Sequence, residues 1–332
     1  MGNGVDTDGT TQVAIACQGG GSHTAFTAGV LKRLLQECDS DSDCGPYELV
    51  GLSGTSGGAV CATAAWYGLV SSGTDRAVAT LEAIWRDFSA RSPFDRITNS
   101  GLVALAQFAA RGGPLPLFSP YELPYTRLGR DQFLDTLEAH VEFERVPELA
   151  ADASVDLILG AADVTEGEFE TFRDEEVTAE TVLASAAIPT LFEAVGIDGH
   201  WYWDGLFSQN PPIRNFLTVP QRAREKPDEI WIVQINPKRR EAVPESMEDI
   251  TNRRNELAGN LSLFQEVYFI EQVNDLIKQG SLPAQYKPVD VEFIDLGSDL
   301  SAPTKLDRDP EFIDRLMQRG QRRAERFLSG RA

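Results

Sequence analysis

A chain of 332 residues is long enough to bury a substantial core and short enough to do so in one large α/β domain. Its 51 acidic residues against 30 basic ones give a formal charge of -21, and only 6 of the basic residues are lysine. A surface of that sign repels nucleic acid, which excludes a DNA- or RNA-binding role.

In chain order, an apolar run at 13–17 leads into Gly19-Gly20-Gly21, and 24–37 then carries Phe26, Val30, Leu31, Leu34 and Leu35 at helical period. A second apolar run, 49–52, enters Gly54-Thr55-Ser56-Gly57-Gly58, and 57–69 reads as a very apolar helix. Strand, glycine turn and helix, twice over, predict a parallel sheet covered by helices. Residues 71–150 read as helical, interrupted near 91–95 and by the proline-bearing stretch 112–124. Within them 101–110, with Leu102, Val103, Leu105 and Phe108, is expected in the core or else as a wall or flap for an apolar substrate.

Further along, 155–161 and 168–173 read as strands, and 178–187 as a short helix stopped by Pro189. Asp198-Gly199 between the extended runs 193–197 and 200–203 predicts a hairpin on a type I′ turn. Buried strands are expected at 230–235 and 291–296, and helices at 242–283 and 309–329. The last helix has acidic residues early and arginines late, as the helix dipole favours. With no repeat and no linker that forces a cut, the expectation is one α/β domain over 11–300, a central, mostly parallel sheet between helices. A C-terminal helical segment, 301–332, packs on it.

Ser56 stands in G-x-S-x-G between a strand and a helix, the setting of a nucleophile turn. Glycines on either side let the chain turn tightly and leave the hydroxyl at a helix N-terminus, where backbone N–H groups meet a forming oxyanion. A dinucleotide fingerprint would need a third glycine where Thr24 stands, and no G-K-[ST] exists for a P-loop. A nucleophilic serine needs a base. His23, His140 and His200 are the whole histidine inventory, and none follows position 200, whereas an α/β-hydrolase order places the histidine late. The alternative base is Asp204, which ends a strand and is followed by Gly205. Strand alternation puts His200, Tyr202 and Asp204 on one face, with His200 and Asp204 roughly 13 Å apart at about 3.3 Å per residue. A carboxylate with a pKa near 4 is an intrinsically poor base for a serine hydroxyl, so positioning and the oxyanion donors must supply most of the rate.

Gly19-Gly20-Gly21, Gly54-Thr55-Ser56-Gly57-Gly58 and Asp204-Gly205 resemble, in order and spacing, the three blocks of the patatin-like phospholipases. The likeness to bacterial-type members extends through the Q-G-G-G-S-H-x-A-F-T-x-G-V-L opening at 18–31, the run at 183–189, Trp203-Asp204-Gly205 and the run at 232–237, and covers about 11–285. It implies a patatin-like fold, a Ser56–Asp204 dyad, an oxyanion hole from the N–H groups of Gly19, Gly20 and Gly21, and hydrolysis of carboxylic esters in lipids through an acyl-enzyme. It also implies that no metal or organic cofactor is needed. Two departures stand out: Thr24 where the family commonly has glycine, and Leu206 where a small residue is usual. An intracellular storage polyester is an alternative substrate, a non-catalytic lipid-binding role an alternative function, and peripheral contact with a lipid or granule surface accompanies either substrate.

The acidic excess has two readings, an ordinary solvated surface or adaptation to concentrated salt, and the scarcity of lysine favours salt. Cys17, Cys38, Cys44 and Cys61 show no C-x-x-C spacing, no signal peptide or membrane span is evident, and the start fails the myristoylation pattern at Asp6. A reduced cytoplasmic protein is therefore expected, with Cys38 and Cys44 as free thiols although they flank a short loop.

Overall fold

The computed structural model describes residues 10–38, 46–115, 118–220, 225–297 and 300–331, with only the backbone of Pro124 and Tyr125. Its centre is β1 (Thr11–Cys17), paired in parallel with β2 (Tyr47–Gly54) on one side and with β7 (Glu229–Gln234) on the other. Beyond β2 lies β3 (Asp156–Asp163), also parallel, and beyond β7 the parallel β8 (Asp290–Asp295). Three antiparallel strands close the β3 side: β4 (Glu168–Arg173) and β6 (His200–Asp204) both pair with β3, and β5 (Val195–Ile197) pairs with β6. The β5–β6 turn is the expected hairpin, since Asp198 and Gly199 both take the positive φ that a type I′ turn requires.

Period-two alternation in β1 sends its side chains into two cores. Val13, Ile15 and Cys17 meet one layer of helices, while Ala14 and Ala16 meet the other. The first layer holds α1 (Ala25–Glu37), α2 (Gly57–Ser72), α3 (Thr74–Phe88) and α10 (Pro310–Ser329). The second holds α8 (Asn215–Thr218) and α9 (Met247–Lys278). A Cβ on Gly29 of α1 or Gly320 of α10 would run into the other helix's carbonyls, so two bare glycines permit the close crossing of these helices. Such packing, with Trp66, Trp231 and Phe26 fully buried, is what the 42% apolar composition makes possible.

The helical stretch after residue 71 resolves into α3, α4 (Pro93–Ala110), α5 (Pro124–Glu138) and α6 (Val146–Asp152). The first break falls at 89–92, because Ser92 caps α4 by accepting the Asp95 N–H and Pro93 occupies its first turn. The long helix expected at 242–283 is shorter for a similar reason. Ser246 caps α9 by accepting the Asp249 N–H at 3.1 Å. A core role for 101–110 is corrected: Leu102, Leu105 and Phe108 are exposed, and α4 buries only Asn99 and Ala110. α7 (Ala179–Ala186) matches the small alanine-rich helix.

Among the described residues Cys17, Cys38 and Cys61 are free thiols, and the pairing partner considered for Cys38, Cys44, lies outside them. No helix among the described residues is long and apolar enough to cross a membrane.

Candidate active site

The carboxyl ends of β1 and β2 are level, Cys17 standing opposite Gly54. The glycine loop and the serine turn therefore leave the sheet side by side, at the edge where open α/β sheets place their ligands. β3 carries the register onward, since Leu159 pairs with Gly54 and Ala161 with Asp204. Asp204 thus ends an antiparallel strand two residues from the level of the serine turn.

Ser56 has φ 58° and ψ -132°, a strained backbone for a residue with a side chain. What holds it there is a clamp on its N–H, which lies 3.0 Å from the Ser185 carbonyl and 3.1 Å from its hydroxyl. Ser185 Oγ in turn donates to the Gly160 carbonyl at 2.7 Å, and Thr55 Oγ1 donates to the Gln209 carbonyl at 2.6 Å. Gly54 and Gly58 face each other across the turn, where a Cβ on Gly58 would collide with the Cys17 carbonyl and one on Gly54 with the Gly58 carbonyl. Gly57 lies against Thr24 and leaves no room for a Cβ. These contacts give each glycine of the motif a steric reason.

The Ser56 hydroxyl stands close enough to the Asp204 carboxyl to pull its pKa down. Asp204 is 1% exposed, and its Oδ1 accepts the Leu206 N–H at 2.8 Å. Gly205 follows with no room for a Cβ against the Gly160 carbonyl, which brings the turn down onto β3. Burial pushes the carboxyl up to about 6, and the Ser56 and Leu206 hydrogen bonds and the Lys305 charge offset only part of that rise. This corrects the expectation of a pKa near 4: the group lies closer to neutrality, where a general base works best.

In the glycine loop the three N–H groups are not equivalent. Gly19 N–H donates to Asn210 Oδ1 at 2.7 Å and so ties the loop to the segment after Asp204. Gly20 and Gly21 open the short 3-10 turn Gly21–Thr24, and Gly21 and Ser22 line the cavity beside Ser56. Thr24, the departure from family pattern, donates its hydroxyl to the Gly21 carbonyl at 2.6 Å and braces the loop from within. Leu206, the other departure, contributes its backbone N–H.

Each histidine ring has a partner of its own. His23 Nε2 pairs with Thr304 Oγ1 at 2.8 Å, His140 Nε2 with Asp87 Oδ2 at 2.7 Å, and His200 Nδ1 with Asp163 Oδ2 at 2.7 Å. Tyr202 and Asp204 point inward as strand alternation suggests, but His200 at the strand's outer end is exposed.

The cavity in front of Ser56 has a volume of about 390 Å³, within the range of small-molecule sites. Trp85, Phe88, Phe133, Leu191 and Phe192 make it apolar, and Lys305 stands at its polar end. Lys305 belongs to the 3-10 turn Ala302–Leu306, and its ammonium donates to Asn236 Oδ1 at 2.7 Å and Asn255 Oδ1 at 2.5 Å. Burial lowers it to about 8 against the pull of Glu256 and Asp204.

A layer of polar support behind these groups escaped the sequence reading. Gln18 Oε1 accepts the N–H groups of Ile235 and Asn236, each at 2.8 Å, while its Nε2 donates to the Gly259 carbonyl and to Asn260 Oδ1, each at 2.9 Å. The buried Glu266 carboxylate accepts from Gln209 Nε2 at 2.5 Å and from the N–H groups of Ile213 and Arg214 at 2.8 and 3.0 Å. A buried charge so fully bonded fixes the 209–214 segment that carries Asn210.

A sharp G-x-S-x-G turn at the carboxyl edge of a mostly parallel sheet, with a donor-rich glycine loop beside it, defines the class of α/β fold to which the chain belongs. The family is narrower. The chain belongs to the patatin-like phospholipases, whose family model matches residues 15–217 and so includes both Ser56 and Asp204. No curated protein matches it in sequence. Solved structures that resemble it include the heterodimeric ExoU–SpcU complex from the type III secretion system of Pseudomonas aeruginosa, at 14% identity and a TM-score of 0.39. That match covers 97% of this chain and 52% of the other, so the chain spans about half the length of that relative.

Proposed function

We propose that the protein is a carboxylic ester hydrolase acting on lipid acyl esters through a Ser56–Asp204 dyad. The observation that carries this reading is a serine, held in a strained turn beside a buried carboxyl whose pKa it lowers, at the wall of an apolar cavity. Asp204 takes the Ser56 proton as Oγ attacks the ester carbonyl carbon. The oxyanion is stabilised by the N–H groups of Gly20 and Gly21, Gly19 being committed to Asn210. Collapse breaks the ester C–O bond, and the leaving alkoxide recovers its proton from Asp204, leaving an acyl-enzyme. Asp204 then deprotonates a water that attacks the acyl carbonyl, and Ser56 leaves with the proton. None of these steps needs a metal or an organic cofactor.

The acyl chain lies among Trp85, Phe88 and Phe133, and the Lys305 charge beside Asp204 favours the ionised base. Because Lys305 comes from the segment after 300, that segment and the domain over 11–300 form one working unit. Strain at Ser56 weighs against a non-catalytic lipid-binding protein, which has no need of it.

The test is covalent labelling with a fluorophosphonate, followed by an ester panel that varies chain length and head group and includes a storage polyester. Labelling at Ser56 that disappears in Ser56→Ala is expected. An intact protein that neither labels nor hydrolyses any ester would leave lipid binding as the function, and turnover of the polyester alone would select that substrate.

A further inference from the structure

α4 is amphipathic the wrong way round for a helix packed on a core. Its inward contact is polar: the Asn99 side chain donates to Asp307 Oδ1 and accepts the Arg308 N–H, each at 2.8 Å. Its apolar residues Phe94, Ile97, Leu105 and Phe108 fall within one narrow arc at about 100° per residue, on the opposite side, with Gly101 between them. Phe94 and Ile97 are 74% and 73% exposed. The cost of holding such a stripe in water needs a compensating partner.

Charge says what the partner is. The chain carries -21 overall, but residues 91–130 hold Arg91, Arg96, Arg111, Arg127 and Arg130 against Asp95 and Glu122, five positive charges to two negative. All five arginines are exposed, and Leu128 on α5 adds an apolar tip 69% exposed. Arg111 and Arg127 each have a carboxylate partner, Glu248 and Glu193, and Arg91, Arg96 and Arg130 add to them exposed positive charge near the apolar stripe of an otherwise acidic molecule, which suits an interface that is oily within and anionic at its edge. The surface also runs into the cavity: Leu102 on the flank of α4, and Thr126 and Gly129 on α5, line it with Ser56.

We propose that the outer stripe of α4, with the tip of α5 and the surrounding arginines, is the face that seats this protein on an anionic lipid surface. Phe94 and Ile97 enter the acyl region, the guanidinium groups remain at head-group level, and the cavity mouth is brought to the lipid. That the seated cavity then cleaves an ester rests on the function proposed above; the seating does not.

The test uses the full chain and vesicles of diether lipids, which offer no ester to cleave, at the lowest KCl concentration that keeps the fold intact. Co-sedimentation with vesicles containing diether phosphatidylglycerol is expected, with weaker binding to diether phosphatidylcholine alone. Phe94→Ser/Ile97→Ser should bind the anionic vesicles at least about tenfold more weakly, since each buried apolar side chain contributes to partition. Leu128→Ser tests the second element separately and should also weaken binding. Both variants should hydrolyse a water-soluble acetate ester at the parental rate, as none of these side chains lines the cavity. The proposal is overturned by equal binding to both vesicle types, by undiminished binding of the double variant, or by a dimer that dissociates in the double variant while vesicles are not bound. Loss of the acetate esterase in the parent counts against the hydrolase reading alone.

Discussion

Replacing Asp204 by Asn should kill the activity and stabilise the fold. The substitution preserves shape: Oδ1 still accepts the Leu206 N–H, and Nδ2 takes the place of the second carboxyl oxygen beside Ser56. What it removes is the cost of burying a charge. In the unfolded chain the carboxyl titrates at its ordinary 3.8, and in the fold at about 6. Below the lower value it is protonated in both states and costs nothing. Between the two the unfolded chain ionises first, so stability falls as pH rises, and above about 6 the full cost is present. Each pKa unit corresponds to about 1.4 kcal/mol, so the rise amounts to about 3 kcal/mol at pH 8. For a chain of this length that is about 4 °C in melting temperature. Differential scanning fluorimetry of parent and Asp204→Asn should therefore show the variant melting higher at pH 8, with the gap closing towards pH 4. A variant that melts at or below the parent at pH 8, or a gap that does not depend on pH, refutes the account of a carboxylate strained by burial. Retained acyl transfer in the same variant refutes its role as base.

Three further results are expected. His140→Gln and His200→Gln should keep most of the activity, because each ring is bound to a carboxylate other than Asp204; loss of several orders of magnitude with the fold intact by circular dichroism would reinstate a histidine base. Lys305→Met should move the acid limb of kcat/KM to higher pH, since Lys305 lowers the Asp204 pKa, whereas Lys305→Arg should hold the limb near the parental position; an unmoved limb in Lys305→Met removes the electrostatic role. Melting temperature should rise from about 0.1 M to above 1 M KCl as the Debye length contracts from about 10 Å to about 3 Å, and a flat series removes the concentrated-salt reading.

The sheet and its glycine turns were legible because their signals are local. Apolar runs end in glycines whose lack of a Cβ is needed within a few residues, as Gly54 against Gly58 illustrates. The supports were not legible, because their partners are remote: Gln18 reaches Gly259 and Asn260, Ser185 reaches Ser56, and Lys305 reaches Asn236. No window on the sequence contains both ends of such a bond. That 101–110 read as core or as a wall, with the core reading corrected, has a different origin. Periodicity reveals which residues of α4 share a side, but not whether core or solvent lies against it; Asn99, bonded to Asp307, decides the matter and is a single polar residue among many. The Asp204 pKa likewise depends on the depth at which β6 ends, which the residue sequence around it does not encode.

The segment from Ser301 to Arg308 crosses in front of the sheet's edge, joining the glycine loop through Thr304 and His23, α9 through Lys305 and Asn255, and α4 through Arg308 and Asn99. It lies wholly beyond the 15–217 matched by the family model, while Ser56, Asp204 and the glycine loop lie wholly within. The serine turn and one wall of the cavity, Lys305, Leu306 and Arg308, are thus written in separate stretches of one polypeptide. Substitutions at Leu306 and Arg308 reshape that wall, whereas one at Lys305 also acts on Asp204, whose pKa the lysine charge lowers. Grafting 300–309 between relatives with Lys305 kept is therefore a direct route to an altered cavity, whereas a truncation at 300 would also remove α10 and its packing on α1.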